Sequence, residues 1–128
     1  MGLGGLVLAG GRFEVTDPAT GESIASVANM VPQDVSAAID AAAAALPGWR
    51  ARSAKERCAI LKTWHSLIHA HVDDLAMLMT REQGKPLTEA KAEVLYAASF
   101  VEWFAEEAKR AYGEIIPSPA SDRELLVF

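Results

Sequence analysis

The stretch from about Thr88 to Ala111 constrains this chain more than any other. Ala90, Val94, Ala97, Val101, Phe104, Ala108 and Ala111 recur in alternating four- and three-residue steps, the period that lines side chains along one face of an α-helix. Glu102, Glu106, Glu107, Lys109 and Arg110 leave a polar side. At 1.5 Å per residue such a helix is about 36 Å long, long enough to cross a small domain. Leu95, Tyr96, Phe100 and Trp103 broaden its apolar face, which predicts packing against more than one neighbour. Gly113 is the expected terminator.

Candidate neighbours precede it. After Pro32, apolar residues Val35, Ala38, Ile39, Ala42, Ala45 and Leu46 keep helical spacing down to Pro47-Gly48, with Pro32 suited to a first turn. The run Ala41 to Ala45 has almost no side-chain bulk, so this face is expected to meet a close neighbour. Ser53-Ala54-Lys55-Glu56 fits a capping box, in which hydroxyl and carboxylate satisfy backbone N–H groups at a helix start. Ile60, Leu61, Trp64, Leu67 and Ile68 form the stripe of the helix that follows. Asp73 or Asp74 is the expected cap of a third helix carrying Leu75, Leu78 and Met79, ended by Gly84 with Pro86 beyond.

The two ends of the chain read differently. From Arg12 to Asn29, short alternating runs flank Asp17-Pro18-Ala19-Thr20-Gly21, the composition of a hairpin turn. A two-stranded hairpin alone is marginal in water, so another element must cover it. Ile115-Ile116-Pro117-Ser118-Pro119 leads into Glu124-Leu125-Leu126-Val127-Phe128, a strand-like run that stops at its most hydrophobic point. Domain ends are usually polar and frayed, so a continuation into a longer chain is expected. The opening Met1 to Gly11 reads as a flexible lead-in. Its apolar part, about 10 residues, is half the roughly 20 that a membrane-spanning helix needs, and it lacks the basic start of a signal peptide.

With 128 residues, 51% of them hydrophobic and 23% charged, the chain can bury a core and is too apolar for intrinsic disorder. Twelve Lys and Arg against 17 Asp and Glu give a net charge of −5. The basic residues are interspersed with acidic ones, so no stripe suited to nucleic-acid phosphates is formed. One cysteine, Cys58, cannot form an intrachain disulfide. This fits a reducing cytoplasm, and neither a membrane nor a nucleic acid is an expected partner.

No catalytic constellation emerges from the residues themselves. Cys58 lies inside the second helix, one turn past its cap, with Lys55 and Arg57 nearby but no partner base or oxyanion donors. A structural thiol is the reading that fits. His65 and His69 are four residues apart and share a helix face, with His71 displaced. Zinc takes three or four ligands, and neither a cysteine pair nor a His-Glu-x-x-His pattern accompanies them. Histidines on a partly exposed helix are therefore expected, and no metal ligand is assigned. A zinc-dependent regulator would require tight zinc binding lost on replacing either residue. Gly2-Leu3-Gly4-Gly5 looks like a phosphate loop, yet no strand precedes it and no GxGxxG is completed. The Glu102, Glu106, Glu107 cluster, beside Lys109 and Arg110, is ordinary helix-surface charge.

Taken in order, Phe13 to Glu22, Trp49-Arg50-Ala51, Ala54-Lys55-Glu56-Arg57, Glu82-Gln83-Gly84-Lys85-Pro86-Leu87 and Glu93 through Gly113 resemble the N-terminal quarter of an aldehyde dehydrogenase. The run Tyr96 to Arg110 is most similar to the succinate-semialdehyde and glutarate-semialdehyde branch. The resemblance covers Phe13 to Phe128. Met1 to Gly11 departs from it, because family members begin with a strand bearing an aromatic-rich segment.

The resemblance implies a fold that is mainly α with a small β-hairpin, the N-terminal part of an α/β enzyme. Family members oxidise an aldehyde with NAD or NADP through a cysteine thiolate, a thiohemiacetal, hydride transfer and hydrolysis of a thioester. By the resemblance, the residues for those steps and for cofactor binding would all follow Phe128. Residues 12–128 would supply scaffold, with the long helix in the substrate-tunnel wall and the last strand opening the hairpin used for oligomerisation. Tyr96 and Phe100 would face the tunnel; the alternative is that both fill core. Some members hold a sodium or potassium ion, which would fall at Glu82 and near Thr16, with further ligands from elsewhere.

The expected function is thus an N-terminal piece of an NAD(P)-dependent semialdehyde dehydrogenase, inactive and cofactor-free by itself. Its partners would be the rest of the enzyme and other subunits of a homo-oligomer. The alternative is a self-contained helical module that binds a protein partner and has a closed core.

Overall fold

The computed structural model describes residues 11–127. Gly2-Leu3-Gly4-Gly5, nearly all of the expected lead-in, and Phe128 lie outside the described residues.

Strands β1 (Arg12–Thr16) and β2 (Ser23–Ala28) pair antiparallel, with a register irregularity between Val15 and Thr16. The turn between them follows the expected chemistry. The Asp17 Oδ1 accepts N–H groups from Ala19 at 2.8 Å and Thr20 at 3.3 Å, so the side chain takes the place of a backbone acceptor. Gly21 has φ 76°, and its N–H reaches the Asp17 carbonyl at 2.7 Å. Gly11, assigned to the lead-in by sequence, accepts from the Asn29 N–H at 2.8 Å.

Helix α1 (Pro32–Arg50) starts where the Asp34 carboxylate accepts the Val31 N–H at 3.0 Å. It does not stop at Pro47-Gly48 as expected. A proline in the last turn removes only one hydrogen bond of the helix ladder, and on this exposed helix the carbonyl concerned is not sealed in a core. The Pro47 carbonyl still accepts from the Ala51 N–H at 3.0 Å. The expected close neighbour of Ala41 to Ala45 is likewise not found among the described residues. Val35, Ile39 and Leu46 are all at least half exposed, and Asp34 is the one buried residue of this helix.

Helix α2 (Ala54–Ala70) opens on the capping box read from sequence. The Glu56 N–H donates to Ser53 Oγ at 3.3 Å, and the Ser53 N–H donates to Glu56 Oε2 at 2.8 Å. Helix α3 (Val72–Gln83) follows almost without a break. Its cap is His71, not Asp73 or Asp74. His71 closes α2 by donating its N–H to the Leu67 and Ile68 carbonyls, and its own carbonyl accepts from the Leu75 N–H. The two aspartates lie one step inside, in the first turn. There Asp73 binds Lys91 of the next helix at 2.6 Å. Gly84 ends α3 in the left-handed region, φ 75°, as expected.

Helix α4 (Leu87–Glu107) packs on both α2 and α3, so it has more than one neighbour as expected, but not through Leu95, Tyr96, Phe100 and Trp103, which are exposed. Its buried face is Ala90, Val94, Ala98 and Ala105, so the expected stripe through Ala97 and Phe104 is displaced by one residue at each of those steps. The reason is steric. Small side chains on α4 let the other helices approach closely, so alanines enter the interface while Phe104 stays 60% exposed. The helix also ends four residues before the expected Ala111. Beyond Ala105 no buried residue holds it, and the N–H groups of Lys109 and Arg110 fall back to carbonyls three residues earlier, the tightening usual at a fraying end.

The core consists of Ala76, Ala90 and Val94, flanked by Ile68, Val72 and Met79. Strand β1 touches α3, but of its residues only Val15 is partly shielded from solvent and Phe13 stays half exposed, so the cover expected for the first hairpin is only partial. Strands β3 (Glu114–Ile116) and β4 (Leu125–Val127) form a second antiparallel hairpin, Ile115 opposite Leu126. The Ile115-Ile116 pair, read from sequence as a lead-in to a strand, is itself a strand. Among the described residues no helix is long and apolar enough to cross a membrane.

Candidate functional site

The face of α4 turned away from the core carries the residues singled out for a substrate tunnel. Tyr96 and Phe100 are one helical turn apart, with ring centroids 4.9 Å apart and planes at 79°, the edge-to-face arrangement that aromatic quadrupoles favour. Tyr96 is 65% exposed and Phe100 47%. Neither fills the core of this chain. Together with Trp103 and Phe104 they line an open hollow of about 730 Å³, rimmed by Ser99, Glu102, Glu106 and Arg110. Trp103 and Phe104, treated from sequence as packing residues, belong to the same wall. The signal for them was present: positions 96, 100, 103 and 104 fall at three- and four-residue steps on a helix face different from that of 90, 94, 98 and 105.

The rim is tied down by charge. Lys62 of α2 meets Glu106 at 2.5 Å, and Lys109 approaches the same carboxylate at 3.4 Å. The hydrogen bonds from Lys62 and Lys109 hold the Glu106 carboxyl below the usual range. The Glu106 hydrogen bond pushes the Lys62 ammonium up. Arg110 is paired with Glu107. This side of the hollow is therefore ionic, and its floor is aromatic.

A second hollow, about 530 Å³, lies between the first hairpin and α3 and is lined by Val15, Leu75, Leu78, Met79, Glu82 and Gln83. The fold thus brings Glu82 close to the end of β1, the two places the resemblance connects with a monovalent ion, with Gln83 beside it and the rest of the lining apolar. Among the described residues no group of three or more His, Cys, Asp or Glu side chains is placed to hold a metal.

The other candidates are resolved individually. Cys58 is 4% exposed and free, and no hydrogen bond to its sulfur occurs among the described residues, in keeping with a structural thiol. His65 and His69 have ring centroids 4.5 Å apart, while His71 turns toward Asp74 at 3.6 Å. A dinucleotide binds where parallel strands and helix N-termini form a crevice. The sheets among the described residues are two separate antiparallel pairs, which do not provide one, so no reaction step is assigned to a cofactor on these residues.

Comparison with known proteins decides the family. The profile of the aldehyde dehydrogenase family matches residues 8–128. The chain belongs to that family. Among curated aldehyde dehydrogenases, a succinate-semialdehyde dehydrogenase of Escherichia coli whose name specifies NADP(+) is 57% identical over 92% of this chain and 24% of its own length. A glutarate-semialdehyde dehydrogenase of Pseudomonas putida is also 57% identical, over 92% of this chain and 25% of its own length. The crystal structure of an E. coli NADP-dependent enzyme superposes with a TM-score of 0.87 at 56% identity, covering 91% of this chain and 24% of that one. The chain therefore spans about a quarter of the length of these relatives. Its helices and hairpins are the N-terminal part of the aldehyde dehydrogenase fold, as expected from sequence.

Proposed function

We propose that this chain serves as the N-terminal scaffold of an NAD(P)-dependent semialdehyde dehydrogenase acting in the cytoplasm. The observation that carries the reading is the 57% identity, sustained over 92% of the chain, with enzymes named for succinate and glutarate semialdehydes. Its surface agrees. Tyr96, Trp103, Phe104 and Ile39 are each at least 60% exposed, and apolar surface of this extent calls for covering partners. The covering partner in this reading is the remainder of the enzyme. Tyr96 and Phe100 then face the aldehyde channel, the ionic rim at Glu106 positions the end of α4, and the β3–β4 hairpin contributes to contacts between subunits.

The self-contained interaction module is not supported. It required a closed core, yet no large side chain among the described residues is fully buried, and Val127 is 47% exposed.

The direct test replaces the matching N-terminal quarter of the E. coli relative with this chain and assays oxidation of succinate semialdehyde with NADP(+). Turnover near that of the parent is expected. In the same chimera Tyr96→Ala raises KM for the aldehyde and leaves KM for NADP(+) unchanged. The 128-residue chain alone is expected to give no turnover with either nicotinamide cofactor. Turnover by it, or a chimera that folds and assembles but is inert, overturns the proposal.

A further inference from the structure

We draw no further inference here: the strongest candidate, the apolar face of helix α1 where Ala42, Ala45, Leu46 and Trp49 line an open hollow, is an unpartnered face, and nothing in the structure shows what covers it beyond the remainder of the enzyme already proposed.

Discussion

A methyl carbon placed on Gly84 would lie 3.2 Å from Cγ of Pro18. The C-terminal end of α3 and the turn of the first hairpin therefore meet at the one residue between them that has no side chain. Gly84 is also at φ 75°, a conformation that costs an L-residue about 1–2 kcal/mol. Both the helix stop and the docking of the hairpin rest on it. Gly84→Ala is expected to destabilise the chain by at least that amount, read as a lower urea midpoint. Combining it with Pro18→Ala should recover the steric part only, because the backbone penalty is untouched.

The start of α2 offers a cleaner measurement. Ser53 Oγ accepts the Glu56 N–H, and the Glu56 carboxylate accepts both the Ser53 N–H and, at 2.7 Å, its hydroxyl. Those bonds, led by the Ser53 hydroxyl, hold the Glu56 carboxyl below its usual range. Ser53→Ala should cost about 1 kcal/mol, the usual value for a lost N-cap. Ser53→Asp should keep most of it.

The Lys62–Glu106 pair predicts a dependence on pH with a defined sign. Glu106 has its pKa lowered in the folded chain by Lys62 and Lys109, so it binds its proton less readily folded than unfolded. Its contribution is present above the ordinary carboxylate range and is lost as pH falls through the lowered folded value. Lys62 is raised, so its contribution is present up to the ordinary lysine range and is lost as pH rises through the raised folded value. Wild type and Glu106→Gln should differ in urea midpoint at neutral pH and converge in acid. Both partners are substantially exposed, so the difference should be small and should shrink with salt.

What the sequence made legible follows physical rules that act locally. The Asp17 turn, the Ser53–Glu56 box and the Gly84 stop each depend on residues within a few positions of one another, and all three stand where the chemistry placed them. The failures occur where distant packing decides. His71 caps α3 because α2 ends there, and the end of α4 depends on where its neighbours stop touching it. Ile115 and Ile116 form a strand because Leu125 and Leu126 return to pair with them. At the candidate site Tyr96 and Phe100 were identified from resemblance, while Trp103 and Phe104 joined them only when the core face of α4 was seen to run through Ala98 and Ala105.

That displacement of the core face is itself open to direct test. Ala98 is completely buried, and Ala97, adjacent in sequence, is exposed. A stripe through Ala97 would make Ala97→Leu the damaging change and Ala98→Leu harmless. The structure requires the reverse: Ala98→Leu forces three extra carbons into a close helix contact, an overpacking that costs about 1–3 kcal/mol, whereas Ala97→Leu stays near neutral because both residues are good helix formers. Chemical denaturation of the two variants side by side separates these outcomes, since composition and helix propensity change equally in both. If Ala97→Leu proves the more damaging, α4 is rotated from the orientation described, and the aromatic hollow built on its opposite face goes with it.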